Sequence, residues 1–332
     1  MPAGALDGNG GVCMVRTIAT ASLPVLETLK IQKNRLESGN AQVKRRLGIV
    51  TGIHGDELEG QYVCFELARR ISEHSECLNG IVDIYPAMNP LGIDSITRGI
   101  PAFDLDMNRV FPGNEDGSMT EYFAAKMIDD LYGCDMVVDI HASNIFLTEI
   151  PQVRINELHR DCLVPWAKEL NIDLIWVHGS STVLESTLAY SLNSRKTPTL
   201  VVEMGVGMRI TKAYCLQLVD GLFCLMKKLG IWSGPTTEPR TPLIADEGDD
   251  VSFLNAPVAG VFISTAHHGD LLKRGEEIGM IVDPLQGIVL ARMNAPVDGL
   301  LFTIREYPVV DEGSLIARIL RSRPEQEEVQ DV

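Results

Sequence analysis

No stretch of this sequence approaches the roughly 18 consecutive apolar residues that a membrane-crossing helix needs, so no membrane span is expected. The segment from Met1 to Gly11 is Gly-rich and lacks the basic-then-apolar order of a signal peptide; residues 1–12 are expected to form a loose tail. A disulfide pattern is missing as well. Cys13, Cys64, Cys77, Cys134, Cys162, Cys215 and Cys224 are scattered, odd in number and free of any CxxC pair. That usage predicts reduced thiols in a cytoplasmic protein.

Basic charge is scarce: 29 Lys plus Arg stand against 45 Asp plus Glu, a net charge of −16. An acidic surface repels phosphate backbones and anionic lipid, which argues against nucleic-acid and membrane partners. An anionic substrate would then need positive charge supplied inside its pocket, from arginine or a metal.

What is present describes a globular chain. The 332 residues suit two domains, and 45% apolar with 22% charged composition is enough to bury a large core without disulfides. From about residue 46, strand and helix patterns alternate. Strands are predicted at 47–53 (LGIVTGI), 81–85 (IVDIY), 136–140 (MVVDI) and 199–202 (TLVV). Helices are predicted at 57–71, from Ser118 through Leu131, at about 157–170 and 182–193, and at 211–229 ahead of Gly230. Ser118 with Glu121 three residues on makes a capping box. The alternation predicts an α/β fold, a sheet covered by helices on both faces.

At residues 233–240 the texture changes to SGPTTEPR, a linker composition. Short β-like segments follow and contain a repeat: Ala256-Pro257-Val258-Ala259-Gly260 recurs as Ala295-Pro296-Val297-Asp298-Gly299, and Gly275 recurs as Gly313. Two half-motifs predict a small all-β unit with pseudo-two-fold symmetry. The expected division is a tail at 1–12, an α/β domain at 13–235, a β-rich domain at 240–322 and an acidic tail at 323–332.

Four polar constellations interrupt these patterns. Thr51-Gly52-Ile53-His54-Gly55-Asp56-Glu57 follows an apolar strand and enters a helix, where ligands of open α/β sheets collect. His54 and Glu57, three apart, can face one point, although HxxE alone is a weak pattern that more often marks a polar loop at a helix start. Asp139-Ile140-His141 ends another strand; a histidine there can ligate metal while a carboxylate orients a ligand. Glu203 interrupts a buried apolar run and is costly without a partner or a task. Asn89-Pro90, Arg98 and Asp106-Met107-Asn108-Arg109 form a long polar loop with two arginines. Together the four supply the parts of metal-assisted amide hydrolysis: three ligands with a position left for water, a carboxylate proton shuttle, and arginines for an oxyanion and a substrate carboxylate. The other five histidines, His74, His159, His178, His267 and His268, are expected at the surface, at helix edges or in turns.

The ordered set GxHGxE, NP…R…NR, DxH and a glutamate ending a later strand resembles the succinylglutamate desuccinylase/aspartoacylase family over about residues 46–230. That family belongs by fold with the zinc carboxypeptidases. The resemblance implies one Zn²⁺ per chain held by His54, Glu57 and His141. It implies Glu203 as general base and then general acid, and Arg98 as oxyanion stabiliser. Asn108 and Arg109 would hold a substrate carboxylate, with Arg195 a further candidate. The C-terminal repeat resembles a biotinyl/lipoyl-like hammerhead. Its hairpin, Asp283-Pro284-Leu285-Gln286-Gly287, carries no lysine, so a scaffold or lid is expected rather than a swinging arm.

The leading expectation is a deacylase acting on a small N-acyl amino acid, with ester hydrolysis chemically open and a homo-oligomer possible. The competing readings are a peptide-cleaving zinc carboxypeptidase and a non-catalytic protein that keeps a zinc site.

Overall fold

A computed structural model describes residues 5–6, 12–39, 45–101, 104–179, 185–246, 248 and 250–322. The N-terminal part builds a hairpin and then a parallel core. Strands β1 (Ala5–Leu6), β2 (Val12–Ser22) and β3 (Thr28–Glu37) are antiparallel, and β3 lies against β5 (Ile81–Tyr85). Beyond β5 come β4 (Arg46–Thr51), β6 (Met136–Ala142) and β9 (Thr199–Gly205), all parallel to one another. Next are β7 (Leu147–Asn156), antiparallel to β9, and β8 (Leu174–His178), parallel to β7. The hairpin was not foreseen in the sequence. The described part of the expected 1–12 tail is strand, because Ala5 and Leu6 pair with Cys13 and Val12.

Helices cover both faces, as the long apolar runs in the central strands require. Leu47 and Ile49 point with Met136, Val138 and Ile140 into a core completed by α1 (Glu59–Glu73), α4 (Arg160–Ala167) and α6 (Lys212–Lys228). Val50 and Val137 point the other way, toward α3 (Met119–Leu131) and α5 (Leu188–Ser194). A short helix, α2 (Pro90–Ser95), begins at the Asn89-Pro90 step, with the Asn89 side chain accepting from the Gly92 N–H. The capping box at Ser118 and Glu121 forms in both directions. Gly230, with φ of 75°, ends α6 in the left-handed region. The predicted helix at 157–170 is broken: short 3₁₀ turns flank α4, and Pro165 lies inside it. The predicted helix at 182–193 is α5, shorter and starting at Leu188; residues 180–184 lie outside the described set, as does the acidic 323–332 segment. No helix among the described residues is long and apolar enough to cross a membrane.

The linker-like residues 233–240 run without regular structure into β10 (Leu243–Ala245), which pairs with β8. The C-terminal strands are β11 (Val251–Asn255), β12 (Gly260–Ser264), β13 (Leu271–Leu272), β14 (Glu277–Asp283), β15 (Ile288–Asn294), β16 (Gly299–Arg305), β17 (Val309–Val310) and β18 (Leu315–Arg321). The repeat is structural. Gly260 opens β12 as Gly299 opens β16, and Gly275 and Gly313 take φ of 88° and 84° in the turns before β14 and β18. The halves also exchange strands, since β13 of the first pairs with β16 of the second, and β17 of the second with β12 of the first. A core of Phe262, Ile278, Ile281, Leu301, Ile316 and Ile319 fills the unit. β15, β14, β12 and β17 form a separate four-stranded sheet, whereas β16, β18 and β11 extend the large one. Thr303↔Glu149 and Ile304↔Thr148 join β16 to β7, so one sheet runs from the N-terminal hairpin into the C-terminal unit.

Candidate active site

The parallel register brings the polar constellations together. Thr51 at the end of β4 lies opposite Ile140 of β6, and His141 opposite Glu203 of β9. His54 follows β4 directly, so the carboxyl ends of three neighbouring strands deliver His54, His141 and Glu203 to one place. Close packing fixes the His54 loop. A Cβ on Gly55 would lie 2.0 Å from the backbone carbon of Gly92, so only glycine lets this loop touch α2.

Glu57 is the hub. One oxygen lies 2.7 Å from His54 Nδ1 and the other 2.8 Å from His141 Nδ1; the two nitrogens are 3.2 Å apart. All three residues are buried, with ligand atoms within 4.8 Å of one another, and no other such group occurs among the described residues. The nitrogen separation is close to the ~3.3 Å that neighbouring ligands take around a tetrahedral ion with bonds of about 2.0–2.1 Å. Two imidazoles and a carboxylate are also a borderline-soft donor set of the zinc type. The three residues therefore fit a metal ion.

A second layer orients them. His54 Nε2 is 3.0 Å from Asp106 Oδ1, which also accepts the Asn108 N–H at 2.8 Å. His141 Nε2 is 3.2 Å from Asp139 Oδ2, though not aligned as a hydrogen bond. Each imidazole thus has a carboxylate behind it and Glu57 before it, an arrangement that fixes ring orientation at metal sites. Burial works against ionising Glu57, but the two imidazoles hold its carboxyl well below the usual carboxylate range. Burial likewise opposes charge on His54 and His141, yet the surrounding carboxylates push both up. Asp106, despite burial, is held at about 2, mainly by His54 and also by Arg98.

Arg98 reaches the same centre, its Nη1 donating to Glu57 Oε1 at 2.8 Å. Asn108 is buried, and its side-chain oxygen accepts the Leu188 N–H at 3.0 Å, tying the loop to the start of α5. Arg109 donates to the Asn108 carbonyl oxygen at 2.8 Å and, among the described residues, has no carboxylate partner. Burial pushes the Glu203 carboxyl up, against the pull of Arg154, whose Nη1 lies 3.3 Å from Glu203 Oε1.

These groups line a cavity of about 470 Å³. Its walls include His54, Arg98, Asn108, Arg109, His141 and Glu203. Arg195 is not brought to it. It caps the exposed C-terminal end of α5, where its N–H bonds back to the Leu192 carbonyl. Two of the histidines expected at the surface or at helix edges also line the cavity: His178 at the end of β8 and His159 at the N-terminal edge of α4.

The sequence reading missed the rest of the wall. Arg154 on β7, Trp176 on β8 and Arg318 on β18 all face the cavity. β7 went unrecognised as a strand because Pro151 and a bulge between Glu149 and Gln152 break its alternation. The available signal was the spacing of Glu149, Gln152 and Arg154, polar residues among buried apolar ones. Arg318 shows no signal in one dimension, since only the sheet running past residue 240 brings it near.

The sequence profile described as the succinylglutamate desuccinylase/aspartoacylase catalytic domain matches residues 43–229, more than half of the chain. The N-alpha-acetyl-L-2,4-diaminobutyric acid deacetylase of Halomonas elongata is 26% identical over 278 residues, covering 81% of this chain and 80% of that protein. Among solved structures, the product-bound ectoine utilization protein EutE (DoeB) from Ruegeria pomeroyi superposes with a TM-score of 0.79 at 19% identity, covering 96% of this chain and 98% of the other. A succinylglutamate desuccinylase/aspartoacylase from Rhodobacter sphaeroides gives 0.78 at 23% identity, covering 97% and 99%. The two structural likenesses establish a shared fold, and the profile match establishes kinship: this chain belongs to the succinylglutamate desuccinylase/aspartoacylase family.

Proposed function

We propose that this protein is a zinc-dependent deacylase that hydrolyses the amide bond of a small N-acyl amino acid. One observation carries the reading. Two imidazole nitrogens and a carboxylate oxygen, all buried, turn to one point in a cavity that also holds Glu203, Arg98 and Arg109. A bound zinc would supply an acidified water and a polarised scissile carbonyl.

The protein's own groups would do the following. Glu203, whose carboxyl burial pushes up, accepts a proton on a carboxylate oxygen and returns it to the leaving amine nitrogen. Arg98 meets the negative charge that builds on the carbonyl oxygen. Arg109, free of carboxylate partners among the described residues, takes the substrate carboxylate, and the Asn108 amide group supports it. A cavity of about 470 Å³ walled by Trp176 and Arg318 favours a small molecule over a peptide. The name of the Halomonas elongata relative makes N-acetyl-L-2,4-diaminobutyrate the first substrate to try. We read the hammerhead-like C-terminal unit as a scaffold welded to the catalytic sheet, and the protein as acting in the cytoplasm.

The test is turnover by zinc-loaded protein of a panel of N-acyl amino acids beside short peptides. Release of free amino acid from the former alone is expected. Cleavage of peptides instead would favour the carboxypeptidase reading. Metal binding without any turnover would favour a binding protein.

A further inference from the structure

We infer that Arg318, contributed by the C-terminal strand β18, is a positioning residue for Glu203, acting through Glu149 and Arg154. The inference rests on the reading of Glu203 as the proton-carrying group.

The contacts form a chain. Arg154 Nη1 lies 3.3 Å from Glu203 Oε1, while its Nη2 donates to both oxygens of Glu149 at 2.9 and 2.8 Å. Glu149 is completely buried, and its Oε1 takes two further donors. These are Arg318 Nη1 at 2.5 Å and Thr303 Oγ1 at 3.0 Å. Thr303 and Arg318 both belong to the C-terminal unit, on β16 and β18. The two guanidinium groups also pack on Trp176, with carbons 5.6 Å (Arg154) and 5.5 Å (Arg318) from the ring centroid.

Glu149 is thus a buried anion shared by two cations, and Arg154 a cation shared by two anions. The Arg154–Glu203 contact is the longest link and so the easiest to lose. Without Arg318, Glu149 keeps one cation. Arg154 must then neutralise it alone, since an unpaired buried charge is costly, and is drawn off Glu203. Glu203 would keep its place on β9 but lose the donor that fixes its carboxylate. The C-terminal unit would on this account hold the proton-carrying group in register, which explains why its strands continue the catalytic sheet.

The experiment uses the zinc-loaded full chain and measures kcat and KM for N-acetyl-L-2,4-diaminobutyrate, with zinc content and Tm alongside. The variants are Arg318→Met, Arg318→Lys, Glu203→Gln and the double variant Arg318→Met/Glu203→Gln. Arg318→Met is expected to lower kcat about tenfold with KM within about twofold. Arg318→Lys should recover most of the loss. In the Glu203→Gln background Arg318→Met should cost nothing more, because residues acting as a unit are not additive. Equal losses in both backgrounds, or a loss confined to KM, overturn the inference; the latter would make Arg318 a direct substrate contact. Should Arg318→Met fail to fold, Thr303→Val removes one donor from Glu149 and leaves both arginines. It should lower kcat about threefold in the wild-type background and not at all beside Glu203→Gln; additive losses again overturn the inference. Undiminished turnover by Glu203→Gln, or none by the wild type on any N-acyl amino acid, overturns the underlying reading instead.

Discussion

The Nδ1 atoms of His54 and His141 lie 3.2 Å apart although the residues are 87 positions apart in the chain. Sheet register causes this. β4 and β6 are adjacent and parallel, with Thr51 opposite Ile140, so the turn leaving one strand arrives beside the last residues of the other. Glu57 closes the triangle from the approach to α1, and all three groups are buried.

Glu203→Gln keeps the side chain's shape and removes its ability to carry a proton. Zinc content and substrate binding should be retained while kcat falls by about 10² or more. Steady-state kinetics beside a metal assay checks this, and near-wild-type turnover would remove Glu203 from its assigned role.

Asp106 stands behind His54 and also shapes the turn that carries Asn108. Asp106→Ala should weaken zinc binding by about ten- to hundredfold, the usual scale for losing a carboxylate behind a ligating imidazole. Competition against a chelator of known affinity measures it. Unchanged affinity would mean that Asp106 serves the loop alone.

Asp83 is fully buried between Lys33, Arg35 and Arg46, at 3.1, 2.7 and 2.7 Å. Burial opposes its ionisation, but Arg35 and the other cations hold its pKa below the ordinary 3.8. A depressed folded-state pKa means that the stabilisation is fully present above about pH 4 and is lost as pH falls further. Asp83→Asn should therefore destabilise the protein at pH 7 by about 3 kcal/mol, the scale of breaking a buried pair. In denaturant titrations the gap from wild type should narrow below about pH 4; a gap independent of pH would show that charge is not the cause.

Gly205 follows Glu203 by two residues and takes φ of 68°, and a Cβ there would lie 2.0 Å from Glu59 Oε1. Glu59 is itself buried and accepts the Thr211 N–H at 2.7 Å, so it has little room to yield. Gly205→Ala should cost about 2 kcal/mol or more in stability through strain and displacement of Glu59. Activity should fall with it, because the end of β9 carries Glu203. A thermal melt indistinguishable from wild type would contradict this.

The central strands and the main site residues were legible in the sequence because buried parallel strands are continuous apolar runs, and a charged residue at their ends stands out. Leu47–Val50 and Met136–Ile140 gave the strands, and His54, His141 and Glu203 broke them. Asp106 was visible only as part of a polar loop, since its bond to His54 is a contact across 52 positions. The hairpin of β2 and β3 lacks a tight-turn dipeptide: Pro24, Val25 and Leu26 form its turn, with Val25 and Leu26 at φ of 65° and 66°. Arg195 was a candidate by residue type alone, and one dimension does not show that it falls at the exposed C-terminal end of α5, outside the cavity. The joining of the C-terminal unit to β7 is a long-range pairing that the linker-like composition at 233–240 concealed.

Metal content of the purified protein, wild type beside His141→Ala, tests the central claim most directly. The expected result is about one zinc per chain in the wild type and its loss in the variant, with the fold retained by circular dichroism. No metal after reconstitution, or zinc unchanged by the substitution, would contradict a centre built from His54, Glu57 and His141.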